Sequence, residues 1–347
     1  MLSLKIFPAG NGDCFICEFL VDGKPFRMLI DGGTVKSSSV VMKYLKTLPE
    51  SEKIDLIIVT HIDGDHIGGI LEILRDPEIR PRVKEVWFNG FNHLVQGIQS
   101  FDVRQAEELT DLLLNSDYNW NETFFGGGPV MIKKNGEPEI VLLGENCKII
   151  ILSPGEEQLR ALRDKWLKSP RYKKREEPSE DTSGIQRYGM VDIYGLASAK
   201  FKEDESATNA SSIAFLLEVG GRTIFFSGDC LPSVVCNALG SQSPKNIDLF
   251  KVSHHGAAAN TDERILKALP AKRYIVSTDG VKHPHPSDEA MARIIKFAPK
   301  PFDLIFNYTT EYSSVWDDSG LSEKWGFNSK FRNEEDFLEI ELSYLEV

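Results

Sequence analysis

The stretch VTHIDGDHIGG, residues 59–69, decides the fold. It sets His61, Asp63, Asp65 and His66 within six positions. The run before it, IDLIIVT (54–60), is apolar and β-branched and reads as a buried strand. The segment after it, HIGGILEILRD (66–76), repeats apolar residues at helical spacing. The four polar side chains therefore lie on a strand-to-helix connection, where binding sites are commonly built. A solvated acidic turn needs no histidine at both ends, so the pattern points to a metal site. Gly64, Gly68 and Gly69 are expected to let this loop turn tightly.

The same placement recurs along the chain. LIDGG ends a strand at Asp31, FFSGD ends another at Asp229, and KVSHHG ends a third at His254 and His255. HPHP supplies His283 and His285 after the strand-like YIVST. Of the seven histidines only His93 lies outside these clusters, and scattered structural histidines would not concentrate in this way.

Twelve short apolar runs read as strands: 2–8, 15–20, 26–31, 54–60, 84–89, 147–153, 212–220, 222–229, 247–253, 273–278, 302–307 and 337–343. Helical spacing is found at 39–48, 66–76, 103–116, 262–270 and 287–298, the last with Ser287 as N-cap. EVGGRT joins two runs by a glycine turn and predicts a hairpin. Strands, hairpins and interspersed helices together predict an α/β sandwich of two sheets with helices outside.

The 347 residues are expected to form one domain. Residues 156–208, charged and rich in Pro, Ser and Gly, read as an insertion. Its Arg171, Lys173, Lys174 and Arg175 either face solvent or meet an anionic substrate. Residues 300–347 read as a C-terminal extension whose Tyr and Trp residues cap a sheet edge. Cys14 and Cys17 form a CxxC inside an alternating apolar run and read as strand residues, not a redox pair. An odd number of cysteines fits a reducing cytoplasm. No run approaches the ~18 apolar residues of a membrane helix, so no membrane partner is expected. The net charge of −12 disfavours a broad basic face for extended nucleic acid and leaves a small or nucleotide-type anionic substrate as the expected partner.

Taken in order, GNGDCFIC, MLIDGG, THIDGDHIGG, TNASSIAFLLEVGGRTIFFSGD, KVSHHG and KHPHP resemble the metallo-β-lactamase superfamily. Within it the chain is most like soluble relatives of the ComEC competence protein. The resemblance covers roughly residues 1–290 and implies a four-layer αβ/βα sandwich with one or two divalent metal ions, Zn or Mn, with Fe or Mg as further choices. It would put His61 and Asp63 in a first metal position and Asp65 and His66 in a second. Asp229 would bridge the two, and His255 or His254 would complete the second. Asp31 would orient ligands from behind.

Two departures from the family signature HxHxDH matter. Asp63 stands where the second His is usual, and a carboxylate is a harder ligand that favours Mn, Fe or Mg relative to a His-rich site. The later His is also absent, and ESATNASS offers Asn209 near that point, with Asp204 and Glu205 just upstream. The first position is therefore expected to be the weaker one. The implied chemistry is hydrolysis by a metal-activated water. Asp65 would also accept a proton, and His283 or His285 would steady negative charge or protonate the leaving group. A phosphodiester is the expected bond; another ester or a lactone, or a non-catalytic metal-binding module, are the alternatives.

Overall fold

The computed structural model describes residues 1–94, 104–116, 118–168, 191–243, 245–333 and 336–345. The first sheet is built from β1 (Leu2–Ile6), β2 (Phe15–Val21), β3 (Lys24–Ile30), β4 (Leu56–Ile58), β5 (Glu85–Trp87) and β6 (Asn119–Trp120). The second contains β7 (Glu139–Gly144), β8 (Cys147–Ser153), β9 (Ala214–Val219), β10 (Arg222–Phe226), β11 (Leu249–Lys251), β12 (Arg273–Val276), β13 (Phe302–Phe306) and β14 (Phe327–Phe331). The last strand, β15 (Leu338–Leu342), returns to the first sheet and pairs antiparallel with β1. The strand orders are 15-1-2-3-4-5-6 and 14-13-12-11-10-9-8-7.

Alternation along the strands creates the layers. Leu2, Leu4, Ile6, Phe15, Cys17, Ile149, Ile151 and Phe215 fill the space between the sheets. Residues of opposite parity, such as Ile16, Leu29 and Ile57, pack under α1 (Ser38–Thr47), α2 (Gly64–Arg75) and the helix Arg104–Leu114. The outer face of the second sheet lies beneath the helices Pro232–Leu239, Glu263–Ala268 and Asp288–Phe297. The product is helix, sheet, sheet, helix, as the sequence pattern predicts. Ser287 caps its helix by accepting from the Ala290 N–H, and β9 and β10 form the expected hairpin across Gly220 and Gly221, both at positive φ.

Three strands escape the pattern: β6, β7 and β14. β6 has two residues, β7 exposes Ile140 and Leu142, and β14 (FNSKF) carries polar residues at a sheet edge. None of them shows a run of buried apolar residues. The C-terminal segment, expected as an extension, supplies β13, β14 and β15 and therefore edges to both sheets, and Trp316 is fully buried there. Within the expected insertion, Leu162 and Trp166 of the helix Glu156–Lys168 are buried in the outer layer. Cys14 packs in that outer layer and Cys17 between the sheets, on opposite faces, and all five cysteines are free. No described helix is long and apolar enough to cross a membrane.

Candidate metal centre

β3, β4 and β5 run parallel, as do β10, β11, β12 and β13. In α/β sheets side chains for a site gather at the carboxyl ends of such strands. Here Asp31 follows β3, His61 follows β4, Asp229 follows β10, and His254 and His255 follow β11. Asp13 precedes β2, which is antiparallel to β3, so it arrives at the same end.

The Asp229 carboxylate is the focus. Its Oδ2 lies 3.6 Å from His61 Nε2, 3.8 Å from His254 Nε2 and 3.7 Å from His255 Nε2, and its Oδ1 lies 3.6 Å from His66 Nε2. Burial alone would raise the Asp229 pKa, but the facing His255, His66, His254 and His61 hold it well below the usual carboxylate range. Asp63 Oδ2 lies 3.6 Å from His61 Nε2, and Asp65 Oδ2 lies 3.7 Å from His255 Nε2. Asp65 also accepts from Asn11 Nδ2 at 2.5 Å.

The far nitrogens are held from behind. His66 Nδ1 meets Asp31 Oδ2 at 2.7 Å, His61 Nδ1 meets Thr60 Oγ1 at 3.0 Å, and His255 Nδ1 donates to the Ser277 carbonyl at 2.8 Å. Asp31 in turn accepts from the Thr60 N–H and hydroxyl. Such contacts fix the ring so that Nε2 is the free ligand atom. Asp31, His254 and His255 all occupy the left-handed backbone region, which costs a non-glycine residue about 1–3 kcal/mol.

Whether this set suits a divalent cation can be tested on its unmet atoms. His61 Nε2, Asp229 Oδ1 and Asp13 Oδ1 are buried with no hydrogen-bond partner. Buried polar atoms are normally satisfied, and a cation drawing these toward itself removes the deficit. Asp13, His66, Asp229 and His255 each offer one ligand atom within 4.8 Å of all the others. The residues fit.

The sequence reading overlooked two residues here. Asp13 is buried with its pKa pushed up by burial to about 6, against the pull of Lys251. Lys251 is itself fully buried and forms an ion pair with Asp13 Oδ2. The GNGDC turn carries Asp13, but neither the strand pattern nor the resemblance assigns that residue to the site. Lys251 interrupts an apolar strand, and its polarity was the available sign.

Asn209 stands behind His254: its amide nitrogen donates to Asp204 Oδ2 at 2.6 Å and lies 3.4 Å from His254 Nδ1. The ring of His285 is 5.7 Å from that of His254 and 5.7 Å from that of His283, at the rim. Burial lowers the His285 pKa to about 3, so its imidazole is neutral and serves as a proton acceptor or hydrogen-bond partner, not as a standing cation. Arg171, Lys173, Lys174 and Arg175 lie outside the described residues. The expectation that Gly64, Gly68 and Gly69 form a tight turn is corrected: all three lie within α2. A Cβ on Gly69 would sit 2.0 Å from the Gly32 carbonyl oxygen, and one on Gly68 would sit 2.8 Å from the Val35 nitrogen. These glycines permit a close approach of helix and loop.

The fold is an α/β sandwich of four layers with a candidate metal site of clustered His and Asp at the strand ends. Residues 19–135 match the sequence model of the metallo-beta-lactamase superfamily. The two mixed sheets flanked by helices are consistent with the fold of that superfamily. Among solved structures, the chain is similar to the metallo-beta-lactamase fold protein YhfI from Bacillus subtilis. Identity is 12%, coverage 98% of this chain and 100% of that one, and the TM-score 0.41. It is also similar to a diphosphatase from the PhnP family, with 12% identity, 99% coverage of each chain and a TM-score of 0.43. No curated protein matches the chain.

Proposed function

We propose that this protein is a metal-dependent hydrolase that cleaves a phosphodiester in a small or nucleotide-type anionic substrate. The observation that carries the reading is the Asp229 carboxylate with four imidazole nitrogens between 3.6 and 3.8 Å from it. A divalent cation held there would lower the pKa of water toward neutrality and polarise a phosphoryl oxygen.

The chain's own residues do the rest. Asp229, His66 and His255, with Asp65 beside them, would hold one cation. His61 and Asp63, with Asp229 shared, would hold the other. Asp65, which accepts a hydrogen bond from Asn11, would take a proton from the attacking water. His285 and His283 border the same space and would receive the leaving group's side. Bound cations would offset part of the negative charge that Asp63, Asp65 and Asp229 bring to this site and would attract an anionic substrate.

The test is a metal and substrate screen. Purified protein is loaded separately with Mn, Zn, Fe and Mg and assayed on bis-p-nitrophenyl phosphate alongside lactone and thioester substrates. Turnover of the phosphodiester, lost in Asp229→Ala, supports the reading. Bound metal with turnover only of a lactone or thioester moves it to another hydrolase class. Neither bound metal nor turnover with any cation leaves a non-catalytic module.

A further inference from the structure

We infer that His254 takes the place of the absent later histidine and completes the first metal position with His61, Asp63 and Asp229, so that the two adjacent histidines of the HHG turn serve two different cations. The inference rests on the metal-centre reading above and goes beyond it by assigning a ligand that the sequence pattern leaves vacant.

Both Nε2 atoms of the pair approach the same oxygen, Asp229 Oδ2, at 3.8 Å for His254 and 3.7 Å for His255. The two rings then diverge. Their centroids are 5.8 Å apart and their planes cross at 69°. His255 turns toward His66 Nε2, 3.3 Å from its own Nε2, and is buried. His254 turns toward Asn260, Asn209 and Asp204 and keeps 26% of its side chain exposed. It is the more exposed of the two histidines, and Asp63 is likewise partly exposed.

Backbone geometry explains how neighbours can share one carboxylate. Successive side chains of an extended strand point to opposite faces. Here φ is +47° at His254 and +57° at His255, followed by Gly256 at +90°, which breaks that alternation just past β11. Two adjacent non-glycine residues in this region are costly, and such strain persists where a site requires it.

The hydrogen bonds of His254 have the form expected of a ligand. Nδ1 meets Asn260 Oδ1 at 2.9 Å, so the proton belongs on Nδ1 and the Nε2 lone pair is left toward Asp229. Asn260 is itself fixed, donating to the Asp229 carbonyl at 3.1 Å. Asn209, the residue nearest the missing histidine in sequence, spends its amide nitrogen on Asp204 and does not compete for this role. Two atoms bound to one cation at about 2.1 Å lie roughly 3.0–3.6 Å apart. Within the proposed set, His61–Asp63, His61–Asp229 and His254–Asp229 lie 3.6, 3.6 and 3.8 Å apart, at or just beyond that range.

The test counts metal rather than turnover. Full-length protein is loaded with Mn(II), desalted, and examined by elemental analysis and electron paramagnetic resonance for wild type, His254→Asn and Asn209→Ala. Asparagine tolerates the left-handed backbone but cannot reach as far as Nε2. The expected result is two equivalents and a spin-coupled spectrum for wild type and Asn209→Ala, and one equivalent with an isolated six-line signal for His254→Asn. The equivalent retained at His66 and His255 reports that the variant is folded; His254→Gly, free at positive φ, is the second variant if the asparagine form is not. Two coupled ions in the His254 variants, or a single equivalent in wild type, overturns the assignment. Two bound ions without any phosphodiester turnover would sink the proposed activity and leave this assignment standing.

Discussion

Asp31 and His66 form a fully buried pair, with Asp31 Oδ2 2.7 Å from His66 Nδ1 and neither side chain reaching solvent. Asp31 also takes both the N–H and the hydroxyl of Thr60, and Thr60 Oγ1 touches His61 Nδ1. One carboxylate thus sets the orientation of a ligand on each side of the centre. Asp31→Asn keeps the shape and tolerates the φ of +55° at this position. It replaces an acceptor oxygen by an NH2 group and disrupts the His66 tautomer. Loss of such a partner typically weakens metal binding 10–100-fold. Titration with Mn(II) should show a drop of about that size, with the fold intact by circular dichroism. An unchanged affinity would refute the orienting role.

Lys251 is predicted to be essential to stability for an electrostatic reason. It is a buried ammonium whose strong partner is Asp13, with Asp229 Oδ1 at 3.9 Å and the Gly228 carbonyl at 3.1 Å. Lys251→Met fills the volume but strands Asp13 uncompensated. Breaking a buried pair from one side typically costs about 3–5 kcal/mol. Urea unfolding of metal-free protein should show a loss in this range, and Lys251→Met/Asp13→Asn should regain a good part of it. Equal stability of the single and double variants would show that Asp13 does not need the lysine.

His93, the one histidine outside the metal clusters, gives a prediction on pH. Its ring lies 4.4 Å from that of Trp120, and burial lowers its pKa to about 4 from an ordinary value of 6.5. Because the folded-state value is depressed, the unfolded chain takes up a proton first as pH falls. This contribution is whole above pH 6.5 and is lost as pH drops from 6.5 through 4. His93→Gln should be less sensitive to acid than wild type over that window, by about 1 kcal/mol between pH 6.5 and 5 after allowance for partial exposure. Chemical unfolding at the two pH values for both proteins measures it. Parallel losses would exclude His93 as the source.

The layers and most of the centre were legible because they rest on local signals. A buried strand ending in Gly and Asp or His can be read without knowing its neighbours; Asp31, His61, Asp229 and His255 follow that rule, and His66 lies in the first turn of the helix that comes next. Asp13 was missed because it lies at the start of a strand, and only the antiparallel pairing of β2 with β3 brings that start to the site. Lys251 was missed because its ion pair spans the two sheets. The separate directions of His254 and His255 depend on two left-handed residues, for which the letters HH carry no mark. The strands β6, β7 and β14 are edge strands of the two sheets, where burial does not dictate the sequence: β6 has two residues, β14 carries polar residues, and the apolar run of β7 leaves Ile140 and Leu142 exposed.

The glycines of the opening motif test how tightly the centre is assembled. Ala is favoured over Gly inside a helix by about 1 kcal/mol, so on propensity alone Gly69→Ala in α2 should stabilise. Against this, the added Cβ would meet the Gly32 carbonyl oxygen at 2.0 Å and its carbon at 2.7 Å, both backbone atoms. Gly32 is tied to α2 by its N–H to the His66 carbonyl, and the Gly69 N–H donates to the Gly33 carbonyl. The helix and the Asp31 loop must therefore separate, at a cost of about 1–3 kcal/mol or more for an overpacked contact. Sterics should win, giving a net loss of roughly 2 kcal/mol. Separation also lengthens the Asp31–His66 contact, so metal affinity should fall in the same variant. Gly64→Ala is the control: its Cβ meets only the flexible end of Gln105, and its stability should stay within about 0.5 kcal/mol of wild type. Thermal melts and Mn(II) titrations of both variants decide the matter. A Gly69→Ala protein as stable as wild type, with unaltered affinity, would mean that the helix and loop are not held at the distance described.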